Sequence, residues 1–162
     1  MEQTQVKTLV TRPAFQAVGL RWEGTFAQAG AGEIRGLQRA LQSRLNEIRY
    51  VADPAVLLGL SYHVTPARDS FTHYAAVEVE RAEDVPSGMT RLSVPSHTYV
   101  QTEHRKGQQI ERSYTGLFAW IEREGYRTVP GTLTHFELYP MRQDPYDPDP
   151  AFTILIPVER VY

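Results

Sequence analysis

The residue with the most chemical content in this sequence is Glu137, set in the short run Thr134-His135-Phe136-Glu137-Leu138-Tyr139. The run has the composition of a β-strand, along which successive side chains point to opposite faces. Glu137 therefore shares a face with His135 and Tyr139, opposite Phe136 and Leu138. If the two apolar neighbours pack under helices, Glu137 faces a groove. A lone carboxylate among aromatic rings can neutralise an organic cation or accept a hydrogen bond. Cation–π contact with flanking rings adds about 0.5–2 kcal/mol. The competing assignment is a solvated strand residue facing water. The chain also holds nine tyrosines, whose large rings with polar tips suit a pocket wall. Tyr139, Tyr62 and Tyr74 on neighbouring strands, Tyr99, and Phe152 are the candidate ligand-binding partners of Glu137. Trp22, just before Glu23-Gly24, is a candidate roof. Trp120 lies off the apolar stripe of its helix and reads as structural.

Other chemistries find little support. There is no cysteine, which excludes disulfides, thiolate metal sites and a cysteine nucleophile. His97, Glu103 and His104 are close in sequence, but on an extended strand His97 and Glu103 stand about 20 Å apart. His104 points the other way, and His63 and His73 merely end neighbouring strands. No metal site and no cofactor are expected. Gly-x-Ser-x-Gly, phosphate-loop and dinucleotide fingerprints are missing. Gly30-Ala31-Gly32 reads as a turn before a helix. The basic stretch His104-Arg105-Lys106-Gly107 is followed by arginines interleaved with Glu111, Glu122 and Glu124, the pattern of a solvated helix face. With a net charge of −2, neither direct DNA binding nor membrane association is expected. Residues 1–5 carry no signal-peptide pattern. The expectation is a cytoplasmic protein whose partner is a small-molecule ligand, with an unknown protein partner left open.

The elements that must position Glu137 follow from periodicity. Residues 17–22 alternate as a strand. Ile34, Leu37, Leu41, Leu45 and Ile48 recur at helical spacing and predict a helix over about 33–48. Residues 56–63 and 71–80 read as two further strands, so the first half is β-α-β-β. After the turn at Pro86-Ser87-Gly88 the order repeats. Residues 91–103 are strand-like, and Ile110, Tyr114, Leu117, Phe118 and Ile121 line one face of a helix over about 109–124. Gly125 caps it. Strands over 134–139 and 152–158 flank a proline-rich loop at 144–150. The reading is one α+β domain over residues 1–162, with pseudo-repeats at about 6–80 and 91–159. Its antiparallel sheet carries two helices on one face. The groove is expected on the other face or at the seam between repeats.

The second half, with His104-x-x-Gly107, Tyr114, Leu117, Trp120, Gly125-Tyr126, Phe136 to Pro140 and Ile156-Pro157-Val158, resembles the GyrI-like domain family. Val18-Gly19-Leu20 and the strands at 56–63 and 71–80 extend the resemblance to about residues 6–159. Such domains act as effector-binding modules in AraC-type and MerR-type bacterial regulators, and also occur alone. The resemblance implies a duplicated β-α-β-β fold and an aromatic pocket between repeats, with the glutamate matched by Glu137 facing the pocket and meeting cationic drugs. Some stand-alone members are hydrolases that open cyclopropane rings, using that glutamate; others inhibit DNA gyrase. An enzyme would use Glu137 as a general base. The sequence places no second acid or base at a fixed distance from it, which favours binding, for sensing or sequestration.

Overall fold

The computed structural model describes residues 5–65, 67–131 and 133–161. Residues 1–4, most of the stretch read above as free of a signal peptide, lie outside the described residues. Among the described residues, nine strands and three α-helices follow in the order β1 (Thr8–Arg12), β2 (Phe15–Thr25), α1 (Phe26–Gly30), α2 (Glu33–Arg44), β3 (Val56–Tyr62), β4 (Ser70–Val79), β5 (Thr90–Val94), β6 (His97–His104), α3 (Ile110–Arg123), β7 (Tyr126–Thr128), β8 (Leu133–Pro140) and β9 (Phe152–Arg160). The fold is α+β. No helix among the described residues is long and apolar enough to cross a membrane.

The strands join in the order β1-β6-β9-β8-β3-β4-β2-β5, with β7 added beside β9. Every strand pairing is antiparallel. The order is symmetric about the β8–β3 pair. On one side β3, β4 and β2 come from the first repeat; on the other β8, β9 and β6 come from the second. The edge strands are exchanged: β1 precedes β2 in the chain but pairs with β6, and β5 precedes β6 but pairs with β2. Each repeat thus covers the other's outer strand, and β1 and β5 become the two ends of the open sheet.

The stretch expected as one strand over 91–103 is two, parted at Pro95-Ser96. Proline has no N–H for the ladder, and the break lets β5 and β6 join different repeats. The helix expected over 33–48 ends at Arg44 and tightens into a 3₁₀ turn at Leu45–Glu47. Ile48 still enters the core. Helix α1 was not read from the sequence. Its signal is Thr25-x-x-Gln28: the Thr25 hydroxyl accepts from the Gln28 N–H, and the Gln28 side chain accepts from the Thr25 N–H.

The sheet has two different faces. One carries α2 over Val18, Leu57, Ala75 and Val77, and α3 over Val100, Ile154, Ile156 and Val158. On the opposite face, Leu58, Leu60, Ala76, Tyr99, Phe136 and Leu155 cluster with Phe15, Tyr62, Tyr74 and Leu138. Phe136 and Leu138 therefore pack away from the helices, contrary to the arrangement supposed from the sequence. Alternation fixes that Glu137 opposes them, but not which face the helices cover.

Candidate functional site

Two helices on one sheet face, each above its own repeat, leave the central strands β3 and β8 uncovered between them. Antiparallel register sets the side chains there in rows. Glu137 of β8 lies beside Gly59 of β3, which lies beside Ala75 of β4. One row along, His135, Ser61 and His73 stand side by side; one row the other way, Tyr139 neighbours Leu57. Leu57, Ser61, His73, His135, Glu137 and Tyr139 floor a cavity of about 520 Å³, within the ~300–1,000 Å³ range of drug-sized sites. Ile34 and Gln38 of α2 form one wall, Tyr114 and Phe118 of α3 the other, and Pro145 and Pro150 of the β8–β9 loop reach the rim. A second hollow of about 990 Å³ adjoins it, sharing Phe26, Val64, Phe118 and His135.

Glu137 is held from both sides. The Tyr114 hydroxyl donates to Oε2, and the Tyr139 hydroxyl donates to Oε1 at 3.0 Å. Burial raises the carboxyl pKa above the ordinary glutamate range, and the two phenols oppose that shift by stabilising the anion. Burial, then the neighbouring carboxylate, raises both phenol pKa values well above the usual tyrosine value. The tyrosines thus remain donors to the carboxyl oxygens. Gly59 matters to this geometry. A Cβ there would meet His73 Cε1 at 3.3 Å, Tyr139 Cε2 at 3.4 Å and Glu137 Cβ at 3.5 Å. The missing side chain is what keeps the floor hollow between those three groups.

His73 is 2% exposed. Its Nδ1 lies 2.8 Å from Ser61 Oγ. Burial depresses the pKa of His73 to about 4, with repulsion from His135 adding to it, and burial lowers that of His135 to about 4. Both rings are neutral at pH 7. Among the charged residues that line the cavity, three carboxylates (Glu137, Asp144, Asp147) face one guanidinium, Arg35. Asp144 pairs with Arg39 and Asp147 with Lys106, both exposed contacts. That leaves Glu137 as the anion at the floor.

The structure gathers some of the sequence-derived candidates and separates others. Glu137, Tyr139 and Phe152 line one cavity, and Tyr139 stacks on Phe152 at 4.7 Å. Trp22 stands behind the wall. Its indole donates to Glu33 at 3.1 Å and its ring meets Phe71 edge-on at 5.2 Å, and Phe71 in turn stacks on the cavity-lining Phe26. Tyr62, Tyr74 and Tyr99 lie on the opposite face of the sheet. Tyr62 and Tyr74 meet edge to face at 5.7 Å, and Tyr99 is fully buried against Phe136. Each is one residue out of phase with the cavity face: Ser61 and His73 point into the cavity, so Tyr62 and Tyr74 point away. Trp120 stacks on Tyr126, a packing role as read. Sequence reasoning missed Tyr114, Ser61, His73 and His135 as site residues. His135 had a signal, sharing the face of Glu137 two residues away. Tyr114 lay on the inward stripe of its helix, where a polar ring tip needs a partner.

Among the described residues, no group of three or more His, Asp or Glu side chains could hold a metal ion.

Comparison with known proteins fits this architecture. The chain is 30% identical over 152 residues to the transcriptional regulator BrlR of Pseudomonas aeruginosa, a match covering 93% of this chain and 54% of BrlR. The chain thus spans about half the length of that curated relative. Among solved structures, SAV2435 bound to tetraphenylphosphonium superposes with a TM-score of 0.69 at 19% identity, covering 95% of this chain and 94% of that one. The EcmrR C-terminal domain superposes with a TM-score of 0.68 at 17% identity, covering 98% of this chain and all of that one (100%). At these identities the structural likeness is one of fold. The family profile of Cass2, the integron-associated effector binding protein, matches residues 8–158. The chain therefore belongs to this family of GyrI-like effector-binding domains.

Proposed function

We propose that the chain binds small lipophilic organic cations in the cavity between α2 and α3, with Glu137 as the countercharge, so as to sense or sequester them. The observation that carries this reading is the part-buried Glu137 carboxylate, held by the Tyr114 and Tyr139 hydroxyls at the floor of an aromatic cavity. Burial there makes the ionised carboxylate costly in the empty protein. A bound cation relieves that cost, whereas a neutral ligand does not. Tyr114, Phe118, Tyr139 and Phe152 supply ring surface for cation–π contact. The tetraphenylphosphonium bound by SAV2435, a protein of the same fold, supports the choice of ligand class.

Calorimetric titration tests this with tetraphenylphosphonium and with triphenylphosphine oxide, a neutral aryl compound of related shape. The cation is expected to bind at least about tenfold more tightly, a difference of about 1.4 kcal/mol. Equal affinity for both would refute the reading.

A further inference from the structure

We infer that the cavity floor carries a second anchor beside Glu137, built from His73, Ser61 and His135. This anchor selects organic cations that bear a hydrogen-bonding nitrogen or oxygen near the positive centre over cations clothed only in hydrocarbon. The inference rests on the cation-binding reading above and specifies the ligand class of that same site.

Two polar atoms at this floor lack a partner. His73 Nε2 and His135 Nδ1 are both buried and make no hydrogen bond. Buried polar groups are nearly always paired, and an exception calls for an explanation. Both histidines line the cavity; their two nitrogens are covered in the empty protein, so a ligand pairs with them by a small turn of each ring. Their neighbours on the sheet are apolar or already engaged. Ser61 stands between them in register and spends its hydroxyl on His73 Nδ1. Tyr114 and Phe118 present ring surface to His135, at centroid distances of 5.2 and 5.8 Å.

Position relates the anchor to the carboxylate. The His73 ring leans over Gly59, whose absent side chain would touch His73, Tyr139 and Glu137 together. The His73 imidazole edge and the base of the Glu137 side chain therefore border one hollow. His135 lies one row from Glu137 along the same face of β8, about 7 Å. A ligand with its charge at Glu137 brings substituents on that side against the two imidazoles. A neutral imidazole nitrogen donates or accepts according to its tautomer, and the Ser61 hydroxyl accommodates either state of His73 by donating or accepting. An amino group or ring nitrogen on the ligand completes the pairing. A hydrocarbon edge there leaves the nitrogens unpaired, as they are in the empty protein, and gains nothing from them. A site built to hydrogen-bond its ligand discriminates against the analogue lacking the group.

The test uses two permanent planar cations of matched shape, N-methylacridinium and its diamino derivative N-methylproflavinium. Titrations are followed by dye fluorescence with the wild-type chain and with His73→Phe, His73→Gln, His135→Phe and Glu137→Gln. The wild type is expected to favour the diamino dye by roughly tenfold or more. His73→Phe and His135→Phe should each lower the ratio of diamino-dye affinity to N-methylacridinium affinity, the ratio being the readout whatever either change does to both dyes together. His73→Gln returns a polar nitrogen near the position of Nε2 and should restore part of the preference. Glu137→Gln should weaken both dyes alike. Absence of a preference in the wild type overturns the inference, as does a preference that survives in both phenylalanine variants. If Glu137→Gln still weakens both dyes in that case, the cation-binding reading stands and only the second anchor falls. If neither dye binds the wild type, both fall.

Discussion

Replacing Glu137 with Gln should move ligand affinity and protein stability in opposite directions. Glutamine keeps the shape, its amide oxygen accepts from one tyrosine, and its NH₂ can donate to the oxygen of the other. What it removes is the charge. In the empty protein the folded-state pKa of Glu137 is raised, because burial outweighs the hydrogen bonds from Tyr114 and Tyr139. A carboxyl with a raised folded pKa favours folding below its unfolded pKa, and that advantage is lost as the pH rises through the folded value. At pH 7, above the ordinary glutamate range, the raised pKa therefore costs stability, and Glu137→Gln should raise the thermal midpoint. Toward a monovalent cation the sign reverses. Loss of a partly desolvated countercharge is expected to cost about 1–3 kcal/mol, or 5- to 150-fold in affinity. Differential scanning calorimetry and a titration of tetraphenylphosphonium on one preparation read both quantities. The reasoning fails if the variant binds the cation as tightly as the wild type. It fails equally if the empty variant is destabilised at pH 7, since Glu137 would then be a stabilising network member rather than a charge held for a ligand.

Three further outcomes follow from the same geometry. The pKa values of His73 and His135 are depressed from 6.5 to about 4, so their contribution to stability is present above pH 6.5 and lost as the pH falls; roughly 2 kcal/mol per ring should disappear between pH 7 and 5. Glu137 works with the opposite sign, so the check is the difference in urea unfolding between wild type and His73→Phe, which should shrink the loss by one ring's share. Gly59→Val places methyl groups in the hollow where even a Cβ lies 3.3 Å from His73; cation affinity should fall at least about tenfold in a fluorescence titration while the strand persists, valine being a strong strand former. Gly19→Ala puts a Cβ 2.1 Å from the Ala75 carbonyl oxygen and 2.5 Å from Ala76 Cα, backbone atoms that cannot swing aside, and should cost about 3 kcal/mol by chemical denaturation.

Much of this molecule was legible in its sequence because hydrophobic period reports local geometry directly. The stripe Ile110, Tyr114, Leu117, Phe118, Ile121 marks α3, and alternation around Glu137 sets it with His135 and Tyr139. What alternation does not carry is the identity of the faces. A strand buried on both sides, such as β3 with Leu57 and Leu58 both buried, shows no polar side. That is why Tyr62, Tyr74 and Tyr99 were grouped with Glu137 when the sheet stands between them. The exchange of β1 and β5 was equally hidden, since which repeat an edge strand joins is a long-range choice made after the local elements form. The Ser61–His73 contact depends on cross-strand register, which hairpin geometry sets and neither residue's own strand announces.

In the proposed binding mode an organic cation sits between α2 and α3 against Glu137. This placement is tested most directly by the position of a heavy-atom cation in a crystal of this protein. Tetraphenylarsonium has the shape and charge of tetraphenylphosphonium, and its arsenic gives an anomalous peak that needs no interpretation of the surrounding density. A single strong peak is expected on the helix-bearing face, about 4–6 Å from the Glu137 carboxylate, close enough for an opposite charge to act. A peak on the opposite face beside Tyr62 and Tyr74, or only in the hollow bounded by His63, Arg68 and Pro130, would contradict it.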